Sequence, residues 1–266
     1  MSTTRRETGI MLSDYGKDKI YKVMIEIKNL TKTFGSFVAV DDVSLSIQSG
    51  EFFGFLGPNG AGKTTTIKMM TGLFTPTSGQ IVINGFDVVK QPLEAKSTFG
   101  YIPDHPYLYD KLTGREFIYY MGGLYKMEKN ALKENVERVI DLLELASWVD
   151  KKTEDYSQGM RQRVTFASAF VHKPKTIIID EPMVGLDPRS ARIVKDSLKQ
   201  QANNGTSIFM STHILEMAEE LCDRIGIINK SKIIFLDSRE NLHLHKIKYD
   251  GNLEAVFLEL TKEPNE

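Results

Sequence analysis

Residues 57–64 read GPNGAGKT, a glycine-rich loop closed by lysine and threonine, between the apolar run EFFGFL (51–56) and the helical run TTTIKMM (64–70). That strand–loop–helix order is what a phosphate cradle requires. Gly57, Gly60 and Gly62 let the backbone wrap closely, so that successive N–H groups of the loop, which also holds Pro58, Asn59 and Ala61, turn towards one anion. Thr64 and Thr65 open a helix whose positive end faces the phosphates. Lys63 supplies a point charge to the terminal phosphates, and the Thr64 hydroxyl suits Mg²⁺. The chemistry implied is the binding of a nucleoside triphosphate.

A second group follows. TIIIDEP (176–182) is an isoleucine-rich strand ending in two carboxylates. Buried carboxylates need partners, and open α/β sheets bind ligands at the carboxyl ends of their strands. Asp180 therefore suits the metal and Glu181 an attacking water. Further short motifs surround it: YSQGMRQR (156–163), GLDP (185–188) and STH (211–213).

These residues need a scaffold, and the rest of the chain supplies one. Strand character begins near Met24 with MIEIK. Val43, Leu45 and Ile47 alternate, the turn Ser49-Gly50 follows, and EFFGFL then reads as the second strand of an antiparallel pair. Gln80–Ile83 before Asn84-Gly85 repeats the strand-and-turn pattern. Thr113 and Glu116 form a T-x-x-E capping box that opens a helix through Tyr125, and Leu132, Val136, Val139, Ile140 and Leu143 make a core stripe at helical spacing. After Pro174 strands and helices alternate: Thr176–Asp180, a helix from Asp187-Pro188 to Asn203-Asn204-Gly205, Thr206–Ser211, Ile214–Cys222 and Arg224–Asn229. Alternation of this kind implies a parallel sheet covered on both faces.

Composition removes several function classes. Lys+Arg 34 against Asp+Glu 35 leaves a net charge of −1, which gives no basic field for nucleic acid. Apolar runs stay far short of the roughly 18 residues that a membrane span needs. One cysteine, Cys222, excludes an internal disulfide framework and reads as a small buried hydrophobe in a reducing compartment. Residues 1–23 hold no apolar segment of a secretory signal and read as a mobile extension or a start-site artefact.

Taken in order, the motifs resemble the nucleotide-binding subunit of ATP-binding-cassette (ABC) transporters, over about Met24 to Lys262. The resemblance implies an α/β fold: a P-loop (RecA-like) core, an antiparallel β subdomain and a helical insert near 105–172. The nucleotide-binding domain would span 24–240, with a tail over 241–266. It also implies ATP and Mg²⁺ as ligands, with Phe34 in LTKTFG stacking on adenine. Ser157 and Gly159 match the signature loop that meets the γ-phosphate held by a second nucleotide-binding subunit, identical or not. Ser157 would in addition cap the helix that follows. Asp187 resembles the residue coupling the two sites, and His213 the residue contacting the γ-phosphate.

Such a subunit works at the cytoplasmic face of the membrane, bound to a separate permease. A soluble ABC-type ATPase acting on ribosomes or DNA is the alternative; it usually carries two cassettes or a long coiled coil, and no heptad run of that length lies between Lys63 and Ser157. A small-molecule kinase would leave YSQGM, GLDP and STH unexplained.

Two departures from the family pattern stand out. Gln158 occupies a glycine position of the signature loop, where a left-handed backbone would cost about 1 kcal/mol or more. Asp104, after the strand GYI (100–102), stands where the family has glutamine; it either approaches the metal or caps a turn before Pro106. YSQGM and the ending LEAVFLELT (253–261) resemble drug, lipid or bacteriocin exporters. His105–Tyr109 is expected to meet the permease, although Tyr107 and Leu108 would serve equally well in a core.

Overall fold

A computed structural model describes residues 22–183 and 185–238, with Asn241, Glu254, Phe257 and Thr261 beyond them. Most of the N-terminal extension and of the C-terminal tail thus lies outside the described residues. Two sheets organise the chain. The first is antiparallel, in the order β2 (Phe37–Gln48), β1 (Val23–Phe34), β4 (Ser78–Ile83), β5 (Phe86–Asp87). The second has the order β10 (Lys232–Ser238), β9 (Arg224–Asn229), β3 (Phe52–Leu56), β8 (Ser207–Thr212), β7 (Thr176–Asp180), β6 (Phe99–Ile102). All its pairings are parallel except that of β10 with β9.

Helices α6 (Pro188–Asn203) and α7 (Leu215–Leu221) connect strands of this second sheet, α1 (Lys63–Met70) leads from β3 to β4 of the first sheet and α2 (Pro92–Ser97) from β5 back to β6, while α3 (Gly114–Leu124) and α4 (Lys129–Leu142) form the insert. Helix α5 (Gln158–Phe170) packs on both α3 and β6 and so ties the insert to the sheet. Within the stretch expected to be helical, 105–113 is a loop.

The antiparallel pairing expected between 43–47 and 51–56 is not formed. β2 pairs with β1, and β3 crosses to the centre of the other sheet, parallel to β8 and β9. Gly50, at φ 74°, makes the turn that changes sheets. The physical reason lies in β3 itself. All five of its residues are buried, so it has no polar face, and a strand apolar on both sides belongs inside a covered parallel sheet.

Its side chains still alternate, but between two cores. Phe52 and Leu56 join Ile177, Ile179, Ile208 and Met210 against the insert and α6. Phe53 and Phe55 join Ile178 and Phe209 against α1 and the antiparallel sheet. Phe209 lies 5.7 Å from Phe53 and 5.3 Å from Phe55, centroid to centroid. Each fully buried aromatic of this kind stabilises by about 1.5–3 kcal/mol.

Other local expectations are met by the backbone. Asn84 (φ 52°) and Gly85 (φ 91°) turn β4 into β5, pairing Ile83 with Phe86. Thr113 Oγ1 accepts from Glu116 N while Thr113 N donates to Glu116 Oε2, which completes the capping box of α3. Val136, Val139, Ile140 and Leu143 are buried in the larger core, with Leu132 packed against it. Cys222 is buried and free of disulfide bonding.

Candidate nucleotide site

The phosphate loop leaves β3 and enters α1 through glycines that the fold requires. A Cβ on Gly57 would lie 2.3 Å from Ile228 O, and one on Gly62, at φ 115°, would lie 2.5 Å from Ala39 O. Only a bare Cα permits this approach, so the loop closes tightly around its own interior. Lys63 is 6% exposed. Its Nζ donates to Gly57 O at 2.7 Å and Pro58 O at 3.2 Å, which holds the ammonium inside the loop.

Opposite stand the two carboxylates at the end of β7. Asp180 is fully buried and accepts from Ser211 Oγ at 2.5 Å through Oδ1, while its Oδ2 is buried without a hydrogen-bond partner. Burial pushes its carboxyl pKa up. The Ser211 hydroxyl, and after it the nearby Thr64 hydroxyl, pull it down, and the charges of Asp104 and Glu181 add to the rise. Those neighbours also affect Tyr101 on β6, whose hydroxyl is pushed up to about 12 by burial first and then by the charges of Asp180 and Asp104.

Glu181 sits in the left-handed region at φ 47°, which turns its side chain back across the strand ends. Its Oε2 is 2.8 Å from His213 Nδ1 and its Oε1 is 3.6 Å from Lys63 Nζ. Its backbone N donates to Ser211 O at 3.2 Å. Lys63, Thr64, Asp180, Glu181 and His213 thus converge at the carboxyl ends of the adjacent strands β3, β8 and β7, with Asp104 one strand further on after β6. Asp104 Oδ1 accepts from His105 N at 2.9 Å, and Oδ2 is paired with His105 Nδ1 at 2.9 Å.

Ser157, Gly159 and Asp187 form a cluster of their own. Ser157 caps α5, its Oγ accepting from Met160 N at 3.3 Å. Asp187 caps α6, its Oδ1 accepting from Ser190 N at 3.0 Å and its Oδ2 from Ser190 Oγ at 2.6 Å. Those hydrogen bonds hold its carboxyl below the usual aspartate range. Gln158, expected to strain a left-handed position, is the first residue of α5 and has no positive φ. The glycine of the family pattern is not needed at this backbone position. Phe34 ends β1, partly exposed, with its ring edge-on to Phe74 at 5.6 Å and Lys32 Nζ 5.0 Å from its centroid.

Ser211 is the residue that sequence reasoning passed over. It pairs with Asp180 in register only because β8 lies beside β7, and nothing in STH announces that neighbour.

The arrangement fits a triphosphate and a cation. The loop is a backbone cradle for oxygens, and the orphaned Oδ2 of Asp180 beside Thr64 is a ligand without a partner. Among the described residues no group of three or more His, Cys, Asp or Glu side chains could hold a metal alone. A cation here would be shared with phosphate oxygens, as Mg²⁺ commonly is.

Comparison with known proteins agrees with this geometry. The family model described as ABC transporter matches residues 40–184. The chain is 41% identical over 214 residues to the uncharacterized ABC transporter ATP-binding protein YhcH of Bacillus subtilis, covering 80% of this chain and 69% of that one. It is 36% identical over 219 residues to the linearmycin resistance ATP-binding protein LnrL of the same organism, covering 82% and 70%. A solved ATP-binding subunit of an ABC transporter superposes with a TM-score of 0.84 at 30% identity, over 90% of this chain and all of the other.

Proposed function

The chain belongs to the ABC transporter family as an ATP-binding, ATP-hydrolysing subunit, and on that premise we propose that two subunits close around two ATP molecules and drive a separate membrane permease in the direction of export. The observation that carries the proposal is the convergence of Lys63, Glu181 and His213 on one point at the ends of β3, β7 and β8.

In this reading residues 57–65 receive the phosphates, with Lys63 exchanging part of its bonding to the loop carbonyls for the terminal phosphates. Phe34 carries the adenine. Thr64 and Asp180 would hold Mg²⁺, which when bound supplies positive charge against the transferring phosphoryl group. Glu181 orients the attacking water and takes its proton, and His213, 2.8 Å away, fixes the carboxylate and faces the same phosphate.

Ser157 and Gly159 stand at the N-terminus of α5, where a helix end favours an anion. The phosphate proposed to meet them belongs to the nucleotide of a second subunit. A two-fold pair would complete both sites at once.

Among the described residues no helix is long and apolar enough to cross a membrane. The proposed permease would therefore supply the membrane path, with this subunit held at its cytoplasmic side. Export is favoured by YSQGM in the signature loop and by the resistance function in the name of one relative.

Glu181→Gln tests the proposal. It should keep ATP binding, lower turnover by about 100-fold or more, and accumulate an ATP-dependent dimer by size-exclusion chromatography. Turnover equal to that of the wild type would contradict the role of Glu181, and a chain that stays monomeric would contradict the dimer.

A further inference from the structure

The loop that leaves Glu181 lies against α5 at three points, one of them a hydrogen bond. Gln162, buried on α5, donates from Nε2 to Pro182 O at 3.3 Å. One turn nearer the N-terminus of α5, Gln158 lies against Gly185, which has φ 75°. A Cβ on Gly185 would lie 2.4 Å from Gln158 Nε2 and 2.5 Å from its Cδ. Beside them Gly159 faces the cap of α6, where a Cβ would lie 3.0 Å from Ser190 Oγ and 3.1 Å from Asp187 Oδ2.

We propose that Gln158 is a positioning residue for ATP hydrolysis, locking the loop that follows Glu181 to the N-terminus of α5. The inference rests on the reading of Glu181 as the group that activates water. Gly185, with a positive φ and no side chain, is restrained little by its own residue type. The amide of Gln158 fills the space a side chain on Gly185 would take, so that freedom is removed from outside. Gln162 fixes Pro182 and the cap of α6 fixes Asp187, so Gly185 lies between two anchored points. The carboxylate of Glu181, whose backbone is in the left-handed region, is then aimed by the contacts of its loop with α5 rather than by its own preference.

The contact also gives α5 a line to the hydrolytic site. Ser157 and Gly159 are one residue either side of Gln158, so any group that engages the start of α5 bears on the same clamp. Gln158 therefore acts on turnover and leaves the phosphate loop, where ATP is gripped, untouched.

A double-mutant cycle on the full chain tests this, with steady-state ATPase kinetics in Mg²⁺ and binding of a fluorescent ATP analogue. Gln158→Gly should lower kcat by about 3- to 10-fold while KM and analogue affinity change less than about twofold, because contacting residues couple on this scale. Gly185→Ala drives a methyl into the Gln158 amide and should lower kcat further. In the double variant that clash is gone, so kcat should recover about threefold or more over Gly185→Ala alone. Effects that multiply independently, or a loss confined to KM, would overturn the positioning role. Glu181→Gln as a parallel control separates the two readings: if it keeps full turnover the assignment of Glu181 fails, whereas additivity with an inactive Glu181→Gln removes Gln158 alone.

Discussion

Asp180 and Ser211 face each other across the parallel strands β7 and β8, joined by a hydrogen bond of 2.5 Å from the serine hydroxyl to one carboxylate oxygen, while the other oxygen is buried with no partner. The carboxylate is thus half satisfied, and burial, the largest influence on it, raises its pKa. An acid whose folded pKa lies above its unfolded value favours folding most below the unfolded value, and this contribution is lost as pH rises through the folded pKa. Near neutral pH the ionised Asp180 therefore works against the metal-free fold.

Asp180→Asn should accordingly raise the melting temperature of nucleotide-free, metal-free protein while abolishing ATP turnover. The stability advantage should widen as pH climbs from the ordinary carboxylate range towards neutrality. A gain of about 1 kcal/mol would appear as roughly 2–4 °C in a chain of this size. Melting curves at stepped pH for both proteins check the sign, and a variant less stable than wild type at neutral pH refutes it.

Asp104 adds its negative charge to the environment of Asp180 and Tyr101 while its oxygens are engaged by His105. A carboxylate there favours a cation and opposes a phosphate that arrives without one. Nucleotide binding should depend more steeply on Mg²⁺ in the wild type than in Asp104→Gln. ATP affinities with and without Mg²⁺ in both proteins measure the difference. Identical metal dependence removes Asp104 from the site and leaves it the role of holding the 103–106 turn.

The loop before α3 resolves into two faces. Leu108 is 3% exposed and lies in the core, whereas Tyr107 is 77% exposed, its ring edge-on to Tyr109, which in turn meets Tyr120. Tyr107→Glu should leave folding and ATP turnover intact and abolish copurification with the proposed permease. Leu108→Glu should cost soluble protein, since it buries an unpaired charge. Retention of the membrane partner by Tyr107→Glu would move the contact elsewhere.

What could be read in advance followed the range of the interactions. The phosphate loop, the capping box of Thr113 and Glu116, and the Asn84-Gly85 turn are local devices, complete within a few residues, and each is found where its pattern places it. The partners of β3 are not legible in its sequence, because an all-apolar strand carries no mark of which neighbour it takes, and β8 and β9 lie far along the chain. Ser211 was invisible for the same reason. Tyr107 and Leu108 could not be separated because a loop has no period from which to infer a face. The packing of Gln158 on Gly185 joins two motifs that were each recognised singly, and only the approach of α5 to the 182–188 loop shows that they touch.

The change of sheet at Gly50 has a mechanical result. β2 lies beside the phosphate loop, with Ala39 O against Gly62, and Ser231 bridges the two: its Oγ donates to Val38 O at 2.7 Å, its N to Ala61 O at 3.1 Å, and its O accepts from Asp41 N at 2.8 Å. The same strand pairs with β1 up to Phe34 opposite Phe37. The aromatic platform proposed for the base and the cradle for the phosphates are therefore two jaws of one rigid caliper, set by a single strand that touches both. If Phe34 carries the base as proposed, a ligand would be gauged by its span before any chemistry begins, and one too short or too long between ring and phosphates would fill either jaw but not both.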